Sequence, residues 1–513
     1  MSSGFKVRPN QYFDSVFLMG VNKRLSDIDG VRQSAVLMGS PANKRLLADI
    51  GISGEGIDIA GPNDLLMAVV ADTSQIVEDA LGRSEAWIEG RGGVSPARTS
   101  VRTQARAVAD RPDANLAVLS IAGEYAAAEA RKALKAGLHV FLFSSNVPLE
   151  DEIALKRQAA EQGLLVMGPD CGTSLIGGKG LGLANAVRRG PIGVIASAGT
   201  GLQEFTCQVH NAGFGISHAI GTGSRDLSAA VGGLSTFAAL EALARDPGTE
   251  VIALLSKPPA PETLRRLLTR LEESGKPIVG CFFGARPETS GLPPSVQLVQ
   301  TIDEAAQTAI GRAQGAPVAP SLQLTPLEKE LANSLRARRS HGQIWLRGVL
   351  SGGTFCYQAQ QILRGLGLEV RSNTPLDQDL GLEDPNRSLG HAVIDMGDEY
   401  FTLARPHPMI DGTLRRERIL AEGRDPELAV LLLDIVLGFN ASMDPVGELS
   451  GAIIESRRSA QAQGRDLAVV ASVCGTDGDP QDLAAQAKML EDAGAVVFSS
   501  NARAVLFSAA LLD

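Results

Sequence analysis

A short apolar run that ends in a loop of small residues, residues 190–203 (GPIGVIASAGTGLQ), constrains the fold of this chain most strongly. Ile192, Val194 and Ile195 lie between a Gly-Pro pair and the sequence SAGTG, a pattern typical of a parallel strand covered on both faces. A helical pattern follows, so the loop would open a helix whose N–H groups and dipole attract an anion. The residues predicted to bind this phosphate or carboxylate are Ser197, Ala198, Gly199, Thr200, Gly201 and Gln203.

A second loop occurs in the same kind of setting, after the apolar residues 341–350 (HGQIWLRGVL) and before the helical pattern FCYQAQQILRGLG. Tight strand-to-helix turns also use Gly, Ser and Thr for their geometry alone, so either loop by itself has a purely structural interpretation. Two equivalent loops favour anion binding. The second set of predicted ligands is Ser351, Gly352, Gly353 and Thr354.

The composition fits a globular α/β protein with several domains. The chain has 513 residues, of which 44% are hydrophobic and 21% are charged, enough for three or four domains of about 100–200 residues each. A net charge of −10 and an aromatic content of 4% argue against nucleic acid as a partner. The amino terminus lacks a secretory signal pattern and no apolar run is long enough to cross a membrane, which predicts a cytoplasmic protein with no membrane partner.

The five cysteines and six histidines form no recognisable disulfide or metal pattern. The cysteines are far apart and odd in number, and no two histidines stand at helical spacing, so we predict no metal site. Cys171 would need an activating partner to act as a nucleophile, and the sequence shows none beside it.

Strand and helix patterns alternate along the chain and predict four α/β domains. Residues 1–95 are predicted to form a small amino-terminal domain, in which three strand-helix pairs follow one another from Tyr12 onward. This domain has no dinucleotide-binding glycine fingerprint. The flexible composition of residues 89–100 (EGRGGVSPARTS) marks its end. A Rossmann-like domain is predicted over residues 100–187, and two further domains over residues 188–314 and 328–513, separated by the linker GAPVAPSLQLTP.

The domain at residues 100–187 is predicted to contain a parallel sheet, whose carboxyl-terminal edge is the usual ligand side. The substrate-binding candidates at this edge are Asn146, Asp170, Cys171 and Gly172. In the alternative interpretation Asn146 and Asp170 only stabilise turns.

The last two domains are related by an internal duplication. The sequence SAGTGLQEFTCQVHNAGFG corresponds to LSGGTFCYQAQQILRGLGL, and Asp246-Pro247 corresponds to Asp425-Pro426 in front of the next buried strand. Two similar domains commonly pack about a pseudo-twofold axis, which would place equivalent loops on facing surfaces. The two loops are therefore predicted to direct two helix amino termini at one shared anion.

Two polar stretches supply the remaining candidates. The turn at residues 221–226 (GTGSRD) provides the substrate-binding candidates Gly223, Ser224, Arg225 and Asp226. Arg225 and Asp226 have the alternative interpretation of a surface ion pair.

The stretch at residues 390–415 concentrates the polar residues Asp395, Asp398, Arg405, His407 and Asp411 at the equivalent place in the repeat. His407 has a reference pKa near neutrality and is a candidate general base. The alternative is a histidine that is hydrogen-bonded within a Pro-flanked turn.

These motifs resemble the succinyl-CoA synthetase superfamily, and more closely its FdrA branch. The similarity to the synthetase α subunit covers residues 115–284 and includes GPDCG at residues 168–172, SAGT at residues 197–200 and the turn at residues 221–226. The part from His341 onward resembles the ligase domain of the β subunit. Two departures stand out: residues 280–287 (GCFFGARP) lack the histidine that carries the phosphoryl group in the synthetases, and the amino-terminal region lacks their glycine-rich CoA-binding turn.

The resemblance implies a Rossmann-like CoA-binding-type domain and two flavodoxin-like, succinyl-CoA-ligase-type domains. It implies carbamoyl transfer between phosphate and a small amide or ureide such as oxamate or oxalurate, in purine or allantoin catabolism, by a chain that works with companion subunits. No cofactor is required; phosphate or carbamoyl phosphate is the substrate, and the use of CoA is doubtful. The predicted catalytic residues are His407, Arg405 and Arg225, with either arginine holding a carboxylate.

Two other functions stay open at this point. One is acyl-CoA formation, in which Asn146, Asp170 and Gly172 border a CoA pocket and a partner supplies the nucleotide. The other is a scaffold subunit that binds a small anion and leaves the chemistry to its partners.

Overall fold

The computed structural model describes residues 2–11, 13, 15–49, 51–90, 101, 103–257, 259–284, 292–316, 319–402 and 405–512. The chain divides into two compact units, Met1–Pro112 with Thr402–Pro406, and Asp113–Phe401 with His407–Asp513. Most of the predicted first boundary, residues 91–100, lies outside the described residues. The described part of the predicted linker, residues 319–325, is neither helix nor strand.

The amino-terminal unit contains a three-stranded antiparallel sheet with helices on both faces. Its elements are β1 (Ser2–Arg8), α1 (Ser15–Ser26), β2 (Val31–Met38), α2 (Pro41–Asp49), α3 (Glu55–Ile59), β3 (Leu65–Ala71), α4 (Ser74–Gly90) and α5 (Gln104–Asp110). The strand order β1-β3-β2 places β3 in the centre. Successive residues of β3 face opposite sides, so Met67 packs with α1 and α4 while Leu66 packs with α2 and α3.

The predicted first strand of this unit is wrong. The residues after Tyr12 form α1, and the first strand is β1, which lies upstream of that pattern. Leu18, Val21 and Leu25 are buried at spacings of three and four residues, which is the helical rather than the strand period.

The larger unit opens with a small parallel sheet of order β4-β5-β6. Its elements are β4 (Leu116–Leu119), α6 (Gly123–Lys135), β5 (His139–Leu142), α7 (Leu149–Glu161) and β6 (Val166–Met167). The alternation of strand and helix is the one predicted for a Rossmann-like domain.

The first repeated domain contains a seven-stranded sheet of order β13-β12-β11-β9-β10-β7-β8, counted over the described residues. Its elements are β7 (Thr173–Ile176), β8 (Lys179–Gly182), β9 (Arg189–Ala196), α8 (Gly199–Asn211), β10 (Ile216–Gly221), α9 (Leu234–Arg245), β11 (Val251–Ser256), α10 (Pro261–Glu273), β12 (Ile278–Phe282), β13 (Val296–Val299) and α11 (Ile302–Ala313). The hairpin of β7 and β8 joins this sheet through β10. The predicted boundary at residue 187 is therefore wrong, because it would separate the hairpin from its own sheet.

The second repeated domain contains a six-stranded parallel sheet of order β15-β16-β14-β17-β18-β19 in the part of the chain that is described. Its elements are α12 (Pro326–Arg336), β14 (Trp345–Leu350), α13 (Gly353–Gly365), β15 (Val370–Ser372), β16 (His391–Asp395), α14 (Glu399–Thr402), α15 (Thr413–Gly423), β17 (Leu428–Val436), α16 (Pro445–Ala462), β18 (Ala468–Cys474), α17 (Leu483–Asp492), β19 (Ala495–Phe498) and α18 (Asn501–Ala510).

The predicted fold class is confirmed, with one difference between the repeats. The strands β9, β11, β12 and β13 have the same relative order as β14, β17, β18 and β19. In the first domain β10 lies directly beside β9, as in flavodoxin-like sheets. In the second domain β16 takes that position beside β14 and displaces β15 to the sheet edge.

The two repeated domains are joined by reciprocal helix caps. Glu204 on α8 accepts a hydrogen bond of 2.8 Å from the backbone N–H of Asn501, the first residue of α18. Gln358 on α13 accepts a hydrogen bond of 2.8 Å from the N–H of Ile302, the first residue of α11. Since Glu204 and Gln358 occupy equivalent positions after the two loops, the caps follow the pseudo-twofold relation and fix α8 beside α13.

A buried lysine ties α7 to the loop after β10. The Nζ of Lys156 donates to Glu152 Oε1 at 2.8 Å, to the carbonyl of Thr222 at 2.9 Å and to Asp226 Oδ1 at 2.7 Å. Its three protons are thereby all used, and the side chains of Lys156, Glu152 and Asp226 are almost fully buried. The position of the loop at residues 222–226 therefore depends on Lys156.

We predict that Lys156→Met strongly destabilises the chain, because it leaves the buried carboxylate of Asp226 without a cation and takes one of two cations away from Glu152, whose other partner is Arg225. The expected loss in the free energy of unfolding is about 3–5 kcal/mol. Urea unfolding followed by circular dichroism measures it. Lys132→Met is the matched control, since Lys132 forms only an exposed pair with Glu129 and should cost less than about 1 kcal/mol. Equal midpoints for the two variants would contradict the role given to Lys156.

Candidate functional site

The two predicted anion-binding loops meet at the start of α8 and α13. A Cβ atom added to Gly201 would lie 2.7 Å from Cγ2 of Thr354, and one added to Gly352 would collide with Cγ2 of Thr200. Glycine is needed at both positions because each loop approaches a threonine of the other. The prediction that the loops face each other and that each opens a helix is confirmed.

The first N–H groups of both helices remain without protein acceptors in the described part of the chain. Neither helix has a side-chain cap, and no backbone or side-chain acceptor is bonded to the N–H of Gly199, Thr200, Gly353 or Thr354. The buried hydroxyl of Thr354 also lacks a hydrogen-bond partner. Such groups at two adjacent helix amino termini form a natural anion site.

Lys257 brings a positive charge to this site directly after β11. Its Nζ lies 5.5 Å from the centroid of the Tyr357 ring, one turn into α13. Burial alone would lower the pKa of Lys257, but Tyr357 and the carboxyl groups of Asp170 and Asp395 outweigh it and raise the pKa. The ammonium group therefore stays charged. Sequence reasoning missed this residue, although its place at the carboxyl end of a buried strand was an available signal.

Asp395 ends β16 beside the start of α13. A Cβ atom added to Gly353 would lie 2.9 Å from Oδ2 of Asp395 and 3.6 Å from the Tyr357 ring. Burial raises the pKa of Asp395 to about 7, with Lys257 acting in the opposite direction and Asp398 adding to the increase. The carboxyl group can therefore gain or lose a proton near neutral pH.

A cavity of about 310 Å³ opens beside Lys257. It lies between the carboxyl-terminal edge of the first repeated sheet and residues of the second repeated domain. The residues around it are Ser224, Leu227, Ser228, Ser256, Lys257, Tyr357, Pro375, Leu376 and Gln378.

The side chains of the two loop serines are used to hold the loops. Ser197 Oγ lies 3.1 Å from Ser256 Oγ and accepts a hydrogen bond from the N–H of Lys257. Ser351 donates its hydroxyl to Asp434, which also accepts the Ser351 N–H at 2.8 Å. The N–H of Ser197 also donates to the carbonyl of Leu255, so neither serine has a free hydroxyl or N–H group for an anion.

Gln203 is not among the residues that surround the cavity. It is buried, and its Nε2 donates to Asn185 Oδ1 at 3.0 Å. Ala198 is the extended residue that precedes α8. The prediction of Gln203 as an anion ligand is therefore not supported by its contacts.

The turn at residues 221–226 is built differently from the predicted ion pair. Arg225 bonds Glu152 at 2.9 Å and the carbonyl of Val147 at 2.7 Å rather than Asp226. Asp226 is fully buried and accepts hydrogen bonds from Lys156, Ser235 and Thr236. These contacts occupy both oxygens of its carboxylate and indicate that Asp226 holds the turn in place.

Ser224 and Gly223 are the members of this turn that border the site. Ser224 lines the cavity and hydrogen-bonds to Asp170. Gly223 packs against the carbonyl of Pro169, where a Cβ atom would collide. Asp170 thus lies at the cavity side of the turn, as its predicted position at the strand edge requires.

The three other candidates from the Rossmann-like domain differ in their surroundings. Asn146 is exposed and has a left-handed backbone with φ 57°, which is typical of a turn. Burial raises the pKa of the Cys171 thiol to about 12, which disfavours the thiolate that a nucleophilic cysteine needs. Gly172 lies beside α8, where a Cβ atom added to Gly199 would be 3.7 Å from the Gly172 Cα.

His407 reaches the second loop but is a weak base. Burial, and then Arg415, lowers the pKa of His407 to about 4. Its Nδ1 accepts a hydrogen bond from the N–H of Met409, which leaves the proton of the neutral ring on Nε2. A Cβ atom added to Gly397 would lie 2.7 Å from that Nε2. These contacts favour a hydrogen-bond donor over the predicted general base.

Arg405 and Asp411 do not take part in the site described above. Arg405 is exposed and belongs to the segment Thr402–Pro406, which groups with the amino-terminal unit. Asp411 accepts the N–H of Thr413 at 2.8 Å at the start of α15.

Two family models match the chain. A model described as CoA-ligase matches residues 349–511, and one described as AllF, heavy metal-associated domain, matches residues 1–103. The matched amino-terminal residues contain neither cysteine nor histidine, so they offer no thiolate or imidazole ligand to a metal ion. The chain thus contains a CoA-ligase-like domain behind an AllF-type amino-terminal domain.

Three relatives extend the comparison. The chain is 42% identical over 504 residues to the uncharacterized protein YahF of Escherichia coli, covering 98% of this chain and 97% of the relative. It is 26% identical to the α subunit of the ADP-forming succinate–CoA ligase of Methanothermobacter thermautotrophicus, over 38% of this chain and 66% of the relative. It is also 26% identical to the α subunit of the malate–CoA ligase of Methylorubrum extorquens, over 45% of this chain and 80% of the relative.

The fold, the paired loops and these matches define a protein of succinyl-CoA-synthetase-like architecture. The chain belongs to the FdrA family. In the described part of the chain, no helix combines the length and hydrophobicity that a membrane span needs.

We predict that the folded chain has no rapidly reacting thiol, because all five cysteines are buried. Titration with dithionitrobenzoate should detect no fast thiol in the native chain and all five after denaturation. The exposed Ser145→Cys variant is the control and should add one fast thiol. A fast native thiol that disappears in Cys171→Ser would contradict the burial and pKa of Cys171.

Proposed function

We propose that this chain is a subunit of an enzyme that transfers a carbamoyl group between phosphate and a small amide or ureide of the oxamate and oxalurate type. The observation that carries the proposal is the meeting of two helix amino termini with unused N–H groups. Carbamoyl phosphate has the dianionic phosphate that such a site recognises.

The phosphate would be held by the N–H groups of Gly199, Thr200, Gly353 and Thr354 and by the Thr354 hydroxyl. Hydrogen bonds to a charged group each contribute about 1.5–3 kcal/mol. The same N–H groups would stabilise the oxyanion that develops as the acceptor nitrogen attacks the carbamoyl carbon. Membership in the FdrA family supports this assignment, because the family resemblance implied carbamoyl transfer.

Direct transfer fits the residues better than a phosphorylated intermediate. Residues 280–287 contain no histidine, and the six histidines of the chain are His139, His210, His218, His341, His391 and His407. His407 is held by a backbone N–H on its Nδ1. A bound acceptor can attack carbamoyl phosphate without a covalent enzyme intermediate, because phosphate is a good leaving group and the site aligns the two reactants.

Companion subunits are part of the proposal. Phe439 and Met443 are exposed by 47% and 63% in the loop that follows β17. Leu327 and Leu331 are exposed at helical spacing on α12. Apolar side chains of this size grouped at the surface are typical of protein contacts.

Acid–thiol ligation is the second candidate function. The CoA-ligase model and the two ligase α subunits among the relatives favour it. Asp170 and Gly172 would then border a CoA pocket at the edge of the Rossmann-like domain.

We predict that Gly353→Ala weakens phosphate binding, because its Cβ atom would meet Asp395 at 2.9 Å and crowd the first turn of α13. The dissociation constant for phosphate should rise about 10-fold or more, as expected for one lost charged hydrogen bond. Isothermal titration with phosphate and carbamoyl phosphate measures the change. Formation of carbamoyl phosphate from oxalurate and phosphate by the complex with its companion subunits should fall in parallel.

Gly365→Ala is the matched control on the same helix, because an added Cβ atom would meet nothing within 4 Å. It should bind phosphate as the unchanged chain does. Equal affinities for Gly353→Ala and Gly365→Ala would contradict the phosphate site. Tight binding of CoA without binding of carbamoyl phosphate would instead favour the ligase.

A further inference from the structure

We propose that the cavity beside Lys257 and Tyr357 binds the carboxylate of the carbamoyl acceptor, and that Asp395 takes the proton from the attacking nitrogen. This assignment rests on the proposed transfer reaction and goes beyond it by naming the acceptor subsite. The acceptor class is a small carboxylate that carries an amide or amine nitrogen.

The cavity has the size and the position that such an acceptor needs. Its volume of about 310 Å³ suits a small organic acid and is at the low end of the range for ligand pockets. Tyr357 belongs both to the cavity wall and to the first turns of α13, so a bound acid would lie next to the phosphate site. The two reactants would therefore be neighbours without sharing the same contacts.

Lys257 supplies the charge that selects a carboxylate. It is the one charged residue among those that surround the cavity in the described structure. No carboxylate of the described residues lies within ion-pair distance of its ammonium group, although acidic residues at longer range favour its charged form. The carboxylate of a ligand would form an ion pair with this ammonium group.

The neighbouring cations are already used. Lys156 gives all three protons to buried acceptors. Arg225 gives its Nε and Nη2 to Glu152 and Val147. Lys257 therefore replaces the predicted arginines as the partner of the substrate carboxylate.

The corresponding edge of the second repeated domain is closed. In the first sheet Leu255 pairs with Ala196, and Lys257 lies two residues after Leu255. In the second sheet the same register places Val436 at the position equivalent to Lys257, and Val436 is buried. Asn185 seals this edge with hydrogen bonds to the carbonyl of Leu437 and to Asp479. Of the two equivalent strand edges, the one that contains Lys257 borders the cavity.

Asp395 is placed to exchange a proton at the boundary of the two subsites. Its Oδ2 and the Tyr357 ring border the same point next to Gly353. As the nitrogen forms its bond to the carbamoyl carbon, its proton passes to the Asp395 carboxylate. The carbon–oxygen bond to phosphate then breaks, phosphate leaves with the electron pair, and the proton on Asp395 passes to the released phosphate oxygen. The reverse reaction returns the proton from Asp395 to the nitrogen.

Several groups face Asp395 and set its proton affinity. Lys257 favours its ionised form, while Asp398 and Asp434 oppose it. The N–H of Gly397 donates to its Oδ1 at 2.9 Å. The other titratable side chains near this point are Tyr357, Cys356 and His407.

Binding of oxamate to the phosphate-saturated chain tests the subsite. Oxamide, which has the same size but no carboxylate, is the matched ligand. We expect the unchanged chain to prefer oxamate, and Lys257→Met to weaken oxamate binding about 30-fold or more. The exposed Lys329→Met variant is the control. Phosphate binding by Lys257→Met, measured separately, should weaken much less than oxamate binding, because the proposed phosphate contacts are the N–H groups of α8 and α13 and the Thr354 hydroxyl.

The outcomes separate the two proposals. Equal binding of oxamate and oxamide, or unchanged oxamate binding by Lys257→Met, overturns the carboxylate subsite while phosphate binding can still support transfer. If the chain without any substitution does not bind phosphate, the proposed function itself is overturned. Partial recovery of oxamate binding in Lys257→Arg supports a charge contact rather than a structural role.

The proton transfer has its own test in the complex with companion subunits. Asp395→Asn keeps the acceptor for Gly397 but cannot take a proton. We expect its turnover to fall about 100-fold or more with little change in oxamate affinity. The rise of the transfer rate with pH near 7 should be lost in Asp395→Asn and kept in Asp395→Glu. A retained pH dependence in Asp395→Asn overturns the role of Asp395.

Discussion

The reciprocal caps between the repeats are the constraint on which the rest of the larger unit depends. Each half supplies the acceptor that the first N–H of a helix in the other half lacks, Glu204 for Asn501 and Gln358 for Ile302. A buried N–H without a partner costs about 1–3 kcal/mol, so neither half is complete alone. Because the capping residues lie on α8 and α13, the same contacts bring the two glycine loops together.

Two helix amino termini side by side would repel each other without nearby negative charge. Asp434 accepts hydrogen bonds from Ser351, and Arg415 in turn holds Asp434. Asp395 adds a second carboxyl group whose pKa is raised by burial to about 7. These carboxyl groups place negative charge beside the two helix amino termini, whose first N–H groups have no acceptor among the described residues.

The fold could be predicted from local patterns, whereas the chemistry of the site could not. The strand-loop-helix runs and the repeated Asp-Pro pairs established the duplication because strand burial and helix starts leave short-range signals. Lys257 is in contact with the ring of Tyr357, 100 residues further along, and Arg225 is paired with Glu152, 73 residues earlier. The low pKa of His407 depends on burial that no sequence window contains. Long-range contacts of this kind decide charge and availability.

The hydrogen bonds of Asn185 make the two halves of the duplication unequal. The connection that leaves the hairpin of β7 and β8 contacts the loop after β17 through Asn185, whereas the equivalent edge of the first repeated sheet borders the cavity. The internal symmetry therefore relates the two helix starts but not the surfaces around them.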